Sequence, residues 1–148
     1  MIKTELINTL DHLNTVIEND LADSADYQQA ASRLSELVNG TIGIRELSFI
    51  SQAIGRSLTN SELADLILAA QANKPLNEVL QLPAEADAAY TIKYQRRQAG
   101  MTQVELAKKI GIEQSQLAKI ENGSLKVSLN LLQKAMTVFG RSYIVKAL

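Results

Sequence analysis

From position 113 to position 119 the chain presents Glu113, Gln114, Ser115, Gln116 and Lys119, interrupted only by Leu117 and Ala118. These are carboxylate, amide, hydroxyl and ammonium groups rather than the Glu/Lys lattice of an idle surface helix. Such groups suit the edges of base pairs. A glutamine pairs bidentately with adenine, a lysine with guanine, a serine with either, and a carboxylate accepts from cytosine N4, when a helix presents them in a major groove. The free N–H groups and positive dipole end of such a helix also favour nearby phosphates.

The flanking residues predict the elements that position this run. Thr102 and Glu105 have the spacing of a capping box, and Met101 with Leu106 that of a hydrophobic staple, so a helix begins at about Gln103. Leu106, Ala107 and Ile110 supply its inward face. Gly111 then permits a positive φ and a sharp turn, after which Leu117 and Ile120 anchor a second helix. Alanine at position 107 suits two helices that cross closely, because a larger side chain there would push them apart.

With this spacing, residues 103–122 resemble the helix-turn-helix of the Cro and phage-repressor type, the XRE family. The resemblance extends over about residues 88–139: Arg96-Arg97-Gln98-Ala99-Gly100 is similar to the end of that family's first helix, and Ser128 to Phe139 to its fourth. It implies phosphate contacts from Gln103 and Asn122, base-edge contacts from Gln114, Ser115 and Lys119, and a structural ion pair between Arg96 and Glu121. Lys126 falls in the loop that tracks the DNA backbone in the family. The DNA-binding set expected is therefore Thr102, Gln103, Glu113, Gln114, Ser115, Gln116, Lys119, Asn122 and Lys126, on double-stranded operator DNA.

Charge agrees with a nucleic-acid partner at one end. The formal net charge is -1, but it conceals an acidic stretch up to Asp87 followed by a basic remainder, in which only Glu105, Glu113 and Glu121 are acidic. The chain has no cysteine, which removes disulfides and thiolate chemistry. No apolar run is long enough for a membrane span, and MIKTELINTL lacks the apolar core of a signal peptide, so a cytoplasmic location without membrane contact is expected.

Catalysis finds little support. His12 is the single histidine and has no nucleophile pattern near it. Asp20, Asp23 and Asp26 lack the spacing and closing glutamate of a calcium loop, so neither metal nor other cofactor is expected. No phosphate-binding glycine loop is present. Tyr90 and Tyr94 share one helix face and read as packing or phosphate-contacting residues.

The first half reads as helices nearly throughout, with apolar stripes at Ile2, Leu6, Leu10, Leu13 and Ile17, at Tyr27, Ala30, Leu34 and Leu37, and at Ile44, Leu47, Ile50 and Ile54. Asn39-Gly40 looks like a left-handed stop. Thr59 and Glu62 form a second capping box, opening a helix through Leu63 and Leu66, and Pro75 opens a short fifth. The segment 50–55 faintly echoes 106–111, as any helix–glycine–helix segment would; a degenerate second copy of the motif is the lesser reading. Pro83 and the small polar run behind it mark a domain boundary, giving an acidic helical domain 1–82, a linker 83–87 and a DNA-binding domain 88–148.

After Gly140 the alternation of Arg141, Tyr143 and Val145 with Ser142, Ile144 and Lys146 predicts a strand, pairing with the first half or with a second copy. The expected fold is all-α: an N-terminal helical domain and a five-element helix-turn-helix domain that ends in a short β-strand. Paired half-sites call for a homodimer. The terminal strand and the late position of the DNA-reading domain resemble HipB/HigA-like antitoxins, which implies a repressor whose acidic domain holds a toxin protein. A dimerisation or spacer role for residues 1–82 stands equally; a ligand-sensing pocket is a third reading on which the sequence carries no signal. The competing class is a protein-interaction adaptor, or a ligand-sensing regulator, without operator specificity.

Overall fold

The computed structural model describes residues 1–142. Eight α-helices follow one another: α1 (Lys3–Asn19), α2 (Ala25–Asn39), α3 (Ile44–Ile54), α4 (Asn60–Gln71), α5 (Ala84–Gln98), α6 (Gln103–Ile110), α7 (Gln114–Glu121) and α8 (Leu129–Val138), with a 3-10 turn over Leu76–Glu78. They divide into two compact units, Met1–Leu80 and Gln81–Leu148.

In the first unit α1 packs against α2 and α4. Leu6, Leu10 and Leu13 bury the predicted stripe against Ala30, Leu37, Val38, Ala64 and Ile67. Ile2, expected on that stripe, stands before the helix and is exposed. Polar clamps tie α1 to α4: Lys3 meets Asp65 at 3.0 Å, and Asn60 donates to Asp11 at 2.6 Å while accepting from Asn14 at 3.0 Å. The capping box at Thr59 and Glu62 forms in both directions. Gly40 does not end α2 in the left-handed region: its φ is -72°, and a Cβ there would lie 2.5 Å from the carbonyl oxygen of Glu36. Want of space, not of conformational freedom, calls for glycine at that position.

The second unit buries Ala88, Ile92, Leu106, Ala107, Ile110, Leu117, Ile120, Leu132, Ala135 and Met136 in one core shared by α5 to α8. Residues 83–87, expected as a linker, instead start α5: Pro83 is its N-cap and Asp87 is buried in its first turn. A proline fits there because its fixed φ suits a helix entry and no N–H is needed.

The expectation of a closing β-strand is corrected. The described residues are all-helical and contain no strand. At the predicted start of the strand, Gly140 takes φ 68° and the Arg141 N–H donates to the Met136 carbonyl at 2.9 Å, a Schellman closure that turns the chain back onto α8. An N–H spent on a helix end cannot join a ladder. Alternation along the sequence was the signal, and the helix terminus overrode it locally; Tyr143 to Lys146, the rest of that expectation, lies outside the described residues. The echo between 50–55 and 106–111 goes no further than two similar helix ends. Gly55 and Gly111 both adopt φ 78°, but α4 begins five positions after Gly55, α7 begins three after Gly111, and α4 packs on α1.

Candidate nucleic-acid interface

The outward run sits on α7, and the way α6 and α7 meet decides where it points. Thr102 caps α6 by accepting the Glu105 N–H at 3.1 Å. Glu105 answers to the Thr102 hydroxyl at 3.2 Å, so the expected box closes side chain to side chain rather than onto the backbone. Gly111 ends α6 in the left-handed region with φ 78° and ψ 33°. Beyond the turn, Leu117 and Ile120 are buried and Ala107 is sealed at the crossing. Glu113, Gln114, Ser115, Gln116 and Lys119 are all exposed, on the face away from that core.

Orientation is fixed by polar contacts as well as by packing. Glu121, at the inner end of α7, is 3% exposed, which would be costly for an isolated carboxylate. Arg96 from α5 answers it with two bonds, Nε to Oε2 at 2.7 Å and Nη2 to Oε1 at 2.8 Å, and gives Nη1 to the Met101 carbonyl at 2.8 Å. A fork of this kind joins three elements at one point, and paired, charge-assisted bonds hold angle as well as distance. The ion pair implied by the family resemblance is thus present.

Gln103, the first residue of α6, adds a third bond to Glu121, Nε2 to Oε1 at 3.0 Å. Its own carbonyl oxygen accepts Nε2 of Gln114 at 2.8 Å. A continuous chain therefore runs from Arg96 through Glu121 and Gln103 to Gln114. Gln114 keeps one amide hydrogen and its acceptor oxygen facing outward. That donor-acceptor pair matches the N7 and N6 pattern of adenine in the major groove. Sequence spacing placed Gln103 and Gln114 at two helix N-termini but not side by side; the short turn at Gly111, which brings those termini together, was the available signal.

The other expected residues divide by what they already hold. The side-chain oxygen of Gln116 accepts the Glu113 N–H at 3.0 Å, so these two build the start of α7. Asn122 accepts the Ser124 N–H at 2.8 Å and shapes the loop after α7. Lys126 meets Glu85 at 3.3 Å, with both side chains largely exposed, a pairing worth about 0–1 kcal/mol. Ser115 and Lys119 carry no such engagement and complete an open polar face with Gln114. Tyr90 and Tyr94 stack with ring centroids 6.2 Å apart; Tyr90 is buried, as a packing role requires. Among the described residues no group of His, Asp or Glu side chains could hold a metal ion, and no helix is long and apolar enough to cross a membrane.

Comparison with known families agrees with this geometry. The family model described as helix-turn-helix matches residues 92–144, the stretch that carries the Arg96 fork, the α6–α7 crossing and α8. No curated protein and no solved structure matches the chain. The crossing at Gly111, the outward polar face of α7 and the family match converge on residues 92–144 as a DNA-binding, transcription-regulating helix-turn-helix domain of the XRE type.

Proposed function

We propose that the protein is a sequence-specific operator-binding repressor that acts as a homodimer, with Gln114, Ser115 and Lys119 reading base edges and Gln103 and Asn122 meeting phosphates. The carrying observation is the chain Arg96–Glu121–Gln103–Gln114, which holds a base-reading amide in place before any duplex arrives. Pre-set geometry lowers the ordering cost of association. Thr102, Glu113 and Gln116 serve the interface through the helix starts they build, and Lys126 through charge along the backbone. Two such domains are needed because paired half-sites lie about one helical turn apart.

A mobility-shift experiment on the DNA upstream of the gene tests this. A salt-sensitive, sequence-preferring shift is expected, and Gln114→Ala or Lys119→Ala should relax preference at one base position by about 1–3 kcal/mol. A shift indifferent to sequence would favour an adaptor. The acidic charge of the first half supports one refinement, that the first unit engages a basic partner protein, as the toxin-holding region of an antitoxin does. Copurification of a basic small protein encoded beside it, lost without residues 1–80, would test that refinement.

A further inference from the structure

The second unit carries a basic groove to which the proposed DNA contacts assign no residue. Lys108 and Lys109 at the end of α6 and Lys134 on α8 surround a space of about 600 Å³ over Ile110 and Val138, and no Asp or Glu lines it. All three ammonium groups are exposed, and none is paired with a carboxylate among the described residues. Elsewhere in this unit Arg96 is paired with Glu121 and Lys126 with Glu85. Lys108 and Lys109 are favoured in the last turn of α6 by the negative end of its dipole. Lys134 has no such reason, since it stands outside the last turn of α8. Three like charges facing one space from two helices repel each other, and an anion in the groove relieves that repulsion.

The location and the floor narrow the occupant. Gln103 begins α6 and Lys109 nears its end, about 9 Å further along the axis at 1.5 Å per residue, so the groove lies at the other end of α6 from the Gln103–Gln114 pair. A sugar-phosphate backbone would bring charge but no aliphatic group for Ile110, Val138 and the lysine stems to cover. We propose that Lys108, Lys109 and Lys134 form a docking groove for an acidic polypeptide segment with an aliphatic side chain at its centre, contributed by a partner protein. The same domain then holds DNA on α7 and a protein behind α6.

Fluorescence anisotropy tests this with the full chain and a short fluorescein-labelled peptide of glutamates around one leucine. Saturable, salt-sensitive binding is expected. Lys108→Glu combined with Lys134→Glu should weaken it by at least about tenfold, with thermal unfolding confirming that the variant is folded. The milder pair Lys108→Gln and Lys134→Gln should give a smaller loss in the same direction. Replacing the peptide's leucine by serine should weaken binding several-fold. Unchanged affinity in the lysine variants overturns the groove. If serine substitutes for leucine without loss, and a short duplex displaces the peptide through the same lysines, the groove is a second nucleic-acid contact and the proposal is wrong. Because mobility shifts on the upstream DNA are read separately, failure here leaves the operator reading untouched.

Discussion

Gln114 donates to Gln103 at 2.8 Å across the turn between α6 and α7. Each residue is the first of its helix, so the bond joins two N-termini, where backbone N–H groups also point outward. A phosphate near Gln103 and a base near Gln114 would thus be gripped by one rigid unit. Gln103 holds the Gln114 side chain in place, so in the proposed reading it positions a base contact as well as meeting a phosphate, unlike a lysine that acts by charge alone.

The first prediction follows from that bond. Gln103→Ala and Gln114→Ala should be non-additive in DNA binding, with a coupling of about 0.5–3 kcal/mol in a double-mutant cycle measured by anisotropy on the upstream DNA. Gln103→Ala should also blur preference at the base position proposed for Gln114. Simple additivity would mean that the two amides act independently when DNA is bound.

Arg96 and Glu121 give the second. Their side chains are 10% and 2% exposed, and removing one partner leaves the other buried and uncompensated. Arg96→Met should cost about 3–5 kcal/mol in urea unfolding, far more than loss of an exposed pair such as Lys126–Glu85. Arg96→Lys should recover only part of this, because an ammonium cannot reproduce two parallel bonds to the carboxylate plus one to Met101.

How far these features were legible in the sequence depends on how local their causes are. The α6–α7 turn was, since Thr102, Glu105, Gly111, Leu117 and Ile120 act within a few residues of one another. The polar chain is only half legible: the resemblance implies Arg96–Glu121, but it gives Gln103 a phosphate role alone, because the bond to Gln114 exists only once the helices cross. Alternation misled after Gly140, where the closing hydrogen bonds of α8 reach as far as Arg141. Residues 83–87 misled in the opposite direction, since a proline followed by small residues reads as a linker but also suits a helix entry.

Acid should expose a third feature, in the first unit. Glu62 accepts both Nη1 and Nη2 of Arg56 at 2.8 Å, and also the Thr59 N–H at 2.9 Å. The guanidinium bonds first, and the backbone bond next, hold its carboxyl at about 2 instead of the ordinary 4.5. A folded-state value below the unfolded one means stability that is fully present above about pH 4.5 and is lost as pH falls toward about 2. The stability difference between the native chain and Glu62→Gln should therefore be constant above that window and shrink within it. A difference that stays flat down to pH 2 would show that the pair does not hold in solution.

The fourth prediction concerns Gly111. With φ 78° it turns the chain between α6 and α7, and a Cβ built there meets nothing within 4 Å. Substitution should therefore act through backbone conformation and not through collision. Gly111→Ala should destabilise the protein by about 1–2 kcal/mol, the cost of placing an L side chain in the left-handed region. Gly111→Asn should cost less, because asparagine enters that region more readily. If both variants fold, DNA affinity should fall more for alanine than for asparagine, since any relaxation of the turn pulls Gln114 away from Gln103. Equal stability for glycine, alanine and asparagine would mean that the turn is not held in this conformation.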